Sequence, residues 1–253
     1  MIKFFIVVPC YNEEKRLDLN HFYQFSQQNK EYKILFVDDG SNDNTLDILK
    51  KLSFNSENIR YISYKKNRGK SYAVRTGVLN ILDNNMVENT YIGFLDADLS
   101  ISTEDIDKLY KTAILNPKLG FIYYMKNKKQ YYSKKYVRYL ISNILKIMNN
   151  KLYNINIDDT QCGCKIFKSK VAEIIFREEF NSKWLFDLEI FLRLIENYTK
   201  TYLDDFTCGI SNKRIKYAEK SKIKTTIFLQ VILDYITIYR RYNRLFDTIP
   251  KSV

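Results

Sequence analysis

Short apolar runs alternate with amphipathic stretches through the first half of the chain. Phe4 to Val8 is apolar throughout, as a strand is when both faces of a parallel sheet are covered. The run breaks at Pro9-Cys10-Tyr11-Asn12-Glu13-Glu14, a turn into a helix extending to about Gln28; Asn12 is placed to cap it, and Glu13 and Glu14 suit its positive end. Tyr32 to Val37 predicts a second strand, closed by Asp38-Asp39-Gly40-Ser41-Asn42-Asp43-Asn44-Thr45, whose residues favour turns and helix caps. A helix through Leu52 follows, then a strand over Ile59 to Tyr64 and a helix opened by Lys66-Asn67-Arg68-Gly69-Lys70-Ser71 and running to about Leu82. Tyr91 to Leu95 is the next apolar run, followed by a helix from Ser102 or Thr103 to Leu115 and a strand at Phe121 to Tyr124. Strictly alternating strands and helices predict an α/β fold with a mostly parallel sheet wrapped by helices.

The second half has another texture. Lys126 to Lys151 is dense in Lys, Arg and Tyr, with Val137, Leu140, Ile141, Ile144, Leu145 and Met148 at helical spacing. Such a basic amphipathic helix suits either the sheet's surface or an anionic membrane. Asp158-Asp159-Thr160-Gln161-Cys162-Gly163-Cys164-Lys165-Ile166-Phe167 precedes a helix through about Phe176, and Trp184-Leu185-Phe186-Asp187-Leu188-Glu189 opens another. Asp187 and Glu189 interrupt an apolar stretch, where a carboxylate is costly unless paired or used; capping or solvating the helix start is the plain alternative. The last long helix covers about Ile223 to Arg241, with Ile227, Phe228, Val231, Ile232, Tyr235 and Ile238 on one stripe and basic residues at its ends.

The densest chemistry lies in Asp96-Ala97-Asp98, where the apolar run ends in two carboxylates. Residues i and i+2 of an extended segment point the same way, so both can share a face at a strand's carboxyl end. Open α/β sheets bind ligands there. Two close carboxylates repel unless a cation lies between or near them, and a hard divalent ion bridging to substrate phosphates is the natural occupant. Taken alone, Asp-x-Asp also describes a solvated turn. Gly69-Lys70-Ser71 resembles the end of a phosphate loop, but that motif needs a glycine where this chain has Tyr64.

Composition narrows the partners. The chain has 253 residues, 45% of them hydrophobic, which is enough for a packed core. Its formal charge of +12 points to an anion: nucleic acid, a membrane surface or a phosphorylated substrate. No run approaches the length of a membrane span. Cys10, Cys162, Cys164 and Cys208 read as reduced core thiols of a cytosolic protein, because Cys162-Gly163-Cys164 is too tight for the usual zinc spacing. The single histidine, His21, sits beside Phe22 in an early helix and reads as structural.

Val7-Val8-Pro9-Cys10-Tyr11-Asn12-Glu13, Val37-Asp38-Asp39-Gly40-Ser41-Asn42-Asp43-Asn44-Thr45 and Asp96-Ala97-Asp98, in that order and rough spacing, resemble the family 2 inverting glycosyltransferases with the GT-A fold. Asn67-Arg68-Gly69-Lys70 with Ala73-Val74-Arg75-Thr76-Gly77 fits the same pattern. Asp159-Thr160-Gln161-Cys162-Gly163, Lys165, Phe167 and Phe186-Asp187-Leu188-Glu189 look more particularly like the dolichyl-phosphate glucosyltransferase branch. The likeness covers nearly the whole chain. It implies one domain over residues 1–253, with a nucleotide-sugar half (1–125) and an acceptor half (126–253) carrying amphipathic helices.

The resemblance further implies a UDP or GDP sugar as donor. Pro9, Tyr11 and Glu13 would line the base and ribose pocket, and Asp38 and Asp39 would accept from the base. Lys70 and Ala97 would also face the donor, with Asp96 near the ribose and Asp98 holding Mg²⁺ or Mn²⁺ on the diphosphate, the Asp96–Asp98 pair forming the metal site. Lys126, Lys128, Arg138, Lys220 and Lys222 are candidates to neutralise phosphates. A hydroxyl acceptor needs a general base, for which Asp187 and Asp159 are candidates, whereas a lipid phosphate is already ionised. Two acceptors therefore stay open: a polyprenyl or dolichyl phosphate at the cytoplasmic face of a membrane, reached by peripheral contact, and a saccharide hydroxyl. Relatives in this branch often carry transmembrane helices and often have Gly where this chain has Ser71. Nucleic-acid binding fits the charge but no recognised motif supports it, and it is excluded as the partner.

Overall fold

The structure is a computed structural model that describes residues 3–84, 90–99, 101–126, 163–198, 203, 207–212 and 227–243. In chain order the elements are β1 (Lys3–Cys10), α1 (Leu19–Gln28), β2 (Tyr32–Asp38), α2 (Thr45–Asn55), β3 (Ile59–Ser63), α3 (Lys70–Asn84), β4 (Thr90–Leu95), α4 (Thr103–Leu115) and β5 (Phe121–Lys126). The second half contributes β6 (Cys164–Lys168), α5 (Ser169–Phe176), α6 (Phe186–Asn197), β7 (Thr207–Asn212) and α7 (Ile227–Tyr242). The basic stretch from 127 to 151 and the Asp158–Cys162 segment lie outside the described residues.

One seven-stranded sheet runs in the order β3-β2-β1-β4-β6-β5-β7. Its pairings are parallel except those of β6, which runs antiparallel to both β4 and β5. The sequence pattern missed β6: Cys164-Lys165-Ile166-Phe167-Lys168 is too short to stand out from the helix that follows it. The mostly parallel sheet expected from the alternation is present, and it extends into the second half of the chain.

Strand alternation divides the core in two. Phe5, Val7, Leu35, Val37 and Phe94 face one layer with buried residues of α3, α5, α6 and α7. Phe4, Ile6, Val8, Phe36 and Leu95 face the other, with Phe22 of α1, Leu49 of α2 and Leu109 of α4. Val7, Val8, Phe36 and Phe94 are fully buried, each contributing about 1.5–3 kcal/mol of transfer free energy.

The helix expected from Asn12 begins later. Asn12 takes a left-handed φ of 52°, which cannot start a right-handed helix. Asp18 is the cap instead, its carboxylate accepting from the His21 N–H at 3.0 Å. The freed residues 12–14 lock onto the loop after β2. Asn12 N–H donates to Ser41 Oγ (3.0 Å), Asn42 N–H to Asn12 Oδ1 (2.8 Å) and Glu13 N–H to Thr45 Oγ1 (2.8 Å). Elsewhere the expected bounds hold within a few residues, with Ser102 capping α4. His21 bonds Thr103 Oγ1 through Nε2 at 2.6 Å, tying α1 to α4.

Candidate active site

Strand order reverses direction around β1, which has β2 on one side and β4 on the other. That is the switch point at which open α/β sheets leave a crevice beyond the strands' carboxyl ends. The loops after β1, β2 and β4 converge there and bring most of the sequence-predicted residues together.

After β4 the chain does not stay extended. Asp96-Ala97-Asp98-Leu99 is a turn, closed by Leu99 N–H to Asp96 C=O at 3.2 Å, with Leu99 at φ 49°. The two carboxylates are therefore brought together by a turn, not by the strand periodicity expected from sequence. Ala97 is buried beneath them. The antiparallel register of β6 on β4 places Leu95 opposite Cys164, so Gly163 meets Asp96. A Cβ on Gly163 would stand 2.2 Å from Asp96 Oδ2, a distance no side chain tolerates. The glycine thus lets the chain pass directly against the carboxylate.

Cations surround this turn. Lys70, the first residue of α3, places Nζ 2.5 Å from Asp96 Oδ1. Burial alone would lower the Lys70 pKa, but Asp96, then Asp187 and Asp98, outweigh it and raise it to about 12. Arg16 Nη1 lies 4.0 Å from Asp98 Oδ2 and its other terminal nitrogen pairs with Glu13. Glu13 is buried, and its backbone carbonyl accepts from the Arg16 and Leu17 amides. Arg16 was not singled out by sequence reasoning; the only signal was its spacing of three from Glu13.

Asp38 and Asp39 are both buried, and each spends its carboxylate on the scaffold. Asp38 accepts from Ser41 N–H (3.1 Å) and Ser63 Oγ (2.8 Å). Asp39 accepts from the Arg68 and Gly69 amides at 2.7 and 2.8 Å, holding the loop that leads into α3. Gly40, next after them, turns at φ 69°, and a Cβ there would stand 2.8 Å from the backbone of that same loop. Pro9 is the penultimate residue of β1, and Tyr11, just beyond it, is 37% exposed at the crevice. Burial, Glu13 and Asp38 push the Cys10 thiol well up, so it stays a neutral core group.

Asp187 lies in the first turn of α6 and is buried. Its Oδ1 pairs with Lys165 Nζ at 2.5 Å, and Lys165, in the middle of β6, is itself fully buried. Lys165 also lies 5.4 Å from the Phe94 ring centroid, and Lys70 5.9 Å from that of Phe186. Lys70 and Lys165 thus approach Asp187 from α3 and β6. Glu189 does not cap or solvate the helix start: fully buried, it accepts from Asn181 N–H, Asn181 Nδ2, Ser182 N–H, Arg193 Nη2 and Tyr242 Oη, anchoring the preceding loop and α7. Lys126 ends β5; Asp159, Lys128, Arg138, Lys220 and Lys222 lie outside the described residues.

Among the described residues no group of three or more His, Cys, Asp or Glu could hold a metal alone. Asp96 and Asp98 offer two carboxylates facing cationic partners. That donor set suits a hard divalent ion whose remaining ligands are phosphate oxygens and water. Among the described residues no helix is long and apolar enough to cross a membrane.

A family model described as glycosyl transferase family 2 matches residues 5–176. A dolichyl-phosphate beta-glucosyltransferase of Drosophila melanogaster is 29% identical over 259 residues, covering 94% of this chain and 74% of that protein. The enzymes of the same name from Saccharomyces cerevisiae and Homo sapiens are 32% and 30% identical over 75% and 73% of this chain. Those matches span 62% and 60% of the two relatives' own length. Among solved structures, glucosyl-3-phosphoglycerate synthase from Mycobacterium tuberculosis with uridine diphosphate superposes with a TM-score of 0.64 at 13% identity, covering 99% of this chain and 82% of that one. Mannosyl-3-phosphoglycerate synthase from Rubrobacter xylanophilus gives 0.65 at 13% identity, covering 100% and 78%.

Proposed function

The chain belongs to glycosyl transferase family 2 and has the GT-A fold, and from that premise we propose that it moves a hexose from a UDP or GDP sugar to a polyprenyl or dolichyl phosphate. The names of the relatives support a lipid phosphate as acceptor, and complexes of a structural neighbour with Mn²⁺ and uridine diphosphate support a metal-assisted nucleotide donor. One observation carries the choice of acceptor: Asp187 is buried, with one oxygen committed to the Lys165 ammonium. A hydroxyl nucleophile needs a base within reach, whereas an ionised phosphate does not.

In this reading Tyr11 and Pro9 flank the nucleobase, with the pocket's shape fixed by Asp38 and Asp39 through the loops they hold. Asp98 and Asp96 would hold Mg²⁺ or Mn²⁺. When bound, that ion supplies positive charge to the departing diphosphate. Lys70 and Arg16 add fixed cations beside the same carboxylates and so favour the charge that develops on the leaving group. The acceptor's phosphate oxygen forms a bond to the anomeric carbon as the bond to the nucleoside diphosphate breaks, which inverts that carbon. Asp187 holds Lys165 in place and takes no proton.

The enzyme works peripherally, at the cytoplasmic face of a membrane. On α7, Ile232, Leu233, Ile236 and Tyr239 are 41–50% exposed, with Arg240 beside them, so the helix presents an apolar face with a basic edge. The opposite side of α7 docks on α6 and on the loop before it through Tyr242 and Asp234. The test is transfer of radiolabelled hexose from several nucleotide sugars to polyprenyl phosphate, read in the organic phase. Label in that phase is the expected result. Label only on a saccharide acceptor, abolished in Asp187→Asn, would overturn the lipid assignment.

A further inference from the structure

On the far side of the loop that Asp39 holds, a cavity of about 670 Å³ opens between α3 and residues 179–183. Lys65, Lys66, Arg68, Arg75 and Lys183 line it, with Glu179 as the one carboxylate. None of these five cations forms an ion pair among the described residues. Elsewhere exposed cations find carboxylates one turn away, as Lys50 does with Asp47, Lys108 with Asp105 and Arg177 with Glu173.

Two of the cations are held in place by neutral groups. Arg68 lies over the Tyr72 ring, 3.8 Å from its centroid, and also donates to the Tyr72 hydroxyl. Arg75 donates to the backbone carbonyls of Arg177 and Glu178 at 2.6 and 3.1 Å. Both guanidiniums are therefore positioned without being neutralised, and this state raises the local potential and favours an incoming anion. The first turn of α3 carries no acidic residue, so its amide dipoles add to the same sign. Tyr64 and Tyr72, edge to face at 5.6 Å, and Phe180 supply apolar walls.

This cavity is not the crevice at the switch point. Successive helical residues turn by about 100°, so Tyr72 projects from the side of α3 opposite Lys70 and Arg75 lies nearer Tyr72 than Lys70, while Arg68, just before the helix, stacks on the Tyr72 ring. Lys70 reaches Asp96; Arg68, Tyr72 and Arg75 face the cavity. Gly69 lies at the turn between Arg68 and Lys70, and a Cβ there would stand 4.0 Å from Lys183 Cδ.

We infer that this cavity is a second anion site, separate from the donor crevice, for a ligand that carries a phosphate group joined to a flat or apolar moiety. The phosphate belongs either to a soluble phosphoester or to a lipid headgroup, and both present the same chemistry to the five cations.

Calorimetric titration with inorganic pyrophosphate in a chelator tests the site, using the whole chain, an Asp98→Asn variant, and a variant combining Lys65→Ala, Lys66→Ala and Lys183→Ala. All three lysines are exposed, so the fold should survive, and a single Lys183→Glu serves as a second probe. Binding is expected to persist in Asp98→Asn and to weaken by about tenfold or more in both lysine variants, with affinity falling as salt rises. Co-sedimentation with phosphatidylcholine vesicles, with and without phosphatidylserine, separates the sources. Capture by the anionic vesicles alone, lost in the lysine variants, assigns a headgroup; pyrophosphate binding without capture assigns a soluble ligand. Pyrophosphate binding that is absent, unchanged by the lysine substitutions, or lost only in Asp98→Asn would overturn the inference.

Discussion

Lys165 and Asp187 form an ion pair in the core, Nζ to Oδ1 at 2.5 Å, with side chains 1% and 6% exposed. Removing one partner strands the other charge away from water, which costs about 3–5 kcal/mol. Lys165→Met should therefore lower the unfolding free energy by roughly that amount, measured in urea. The double variant Lys165→Met, Asp187→Leu should recover part of the loss, because it removes both members of the pair. If the single variant were as stable as the parent protein, the pair would not be an intact buried ion pair.

Asp98 faces Arg16 across 4.0 Å, and Asp96 faces Lys70 across 2.5 Å. Neutralising either acid removes charge where a leaving diphosphate and its counter-ion would gather. Asp98→Asn and Asp96→Asn should each lower hexose transfer by roughly a hundredfold or more; Asp96→Asn should also lower the melting temperature, because Lys70 loses the carboxylate that holds its charge. Addition of a chelator to the parent protein should reproduce the loss. Full activity in either variant would remove that residue from the site.

Gly163 tests the register that brings β6 against the acidic turn. A methyl at this position would sit 2.2 Å from Asp96 Oδ2 and 2.7 Å from its Cγ, so the carboxylate must move. A displacement of about 1 Å at a reacting centre can cost roughly a hundredfold in rate. Gly163→Ala should show that loss while donor affinity, measured by thermal shift, falls in parallel. An unchanged rate would mean that Asp96 has no fixed position to lose.

Much of this arrangement was legible in the chain. Apolar runs alternating with amphipathic stretches marked the five strands β1 to β5, and the motifs after β1, β2 and β4 fell at one crevice. The rest depends on pairing across long sequence separations. Nothing local shows that Cys164–Lys168 inserts antiparallel between β4 and β5, and without that register Gly163 is simply a glycine before a strand. Lys165 sits fully buried in that strand, and because the strand itself is not legible locally, neither is the lysine's need for a partner. Asp38 and Asp39 read as base-binding residues in sequence; their carboxylates also hold the loops that shape the crevice, which the sequence does not show. Asn12 looked like a cap because its identity allows it; its left-handed backbone turns the chain toward Ser41 instead.

The hydroxyl of Tyr242 donates to Glu189 Oε1 at 3.0 Å, joining the end of α7 to the buried carboxylate in α6. Hydrogen bonds to a charged group contribute about 1.5–3 kcal/mol, so Tyr242→Phe should lose stability in that range. Because the contact fastens α7, amide exchange should quicken in α7 before it does in β1. Uniform quickening across the sheet would show that α7 is not a separate layer of stability.

Lys70 gives a pH dependence with a definite sign. Burial opposes its charge, but Asp96, Asp187 and Asp98 raise its folded-state pKa from 10.5 to about 12. The native state therefore holds this proton more tightly than the unfolded chain does. The resulting stabilisation is complete below about pH 10.5 and disappears as pH rises through about 12. Several tyrosines, among them Tyr32 and Tyr242, also have phenols raised by burial and lose stability over the same alkaline range, so the parent curve alone does not isolate Lys70. Lys70→Met keeps those tyrosines and removes only the ammonium. Unfolding in urea at a series of pH values should show the difference between parent and variant shifting against the parent between about pH 10.5 and 12 and holding constant below that range. Parallel curves throughout would mean that Lys70 feels the same environment folded and unfolded, which its 2.5 Å contact with Asp96 argues against.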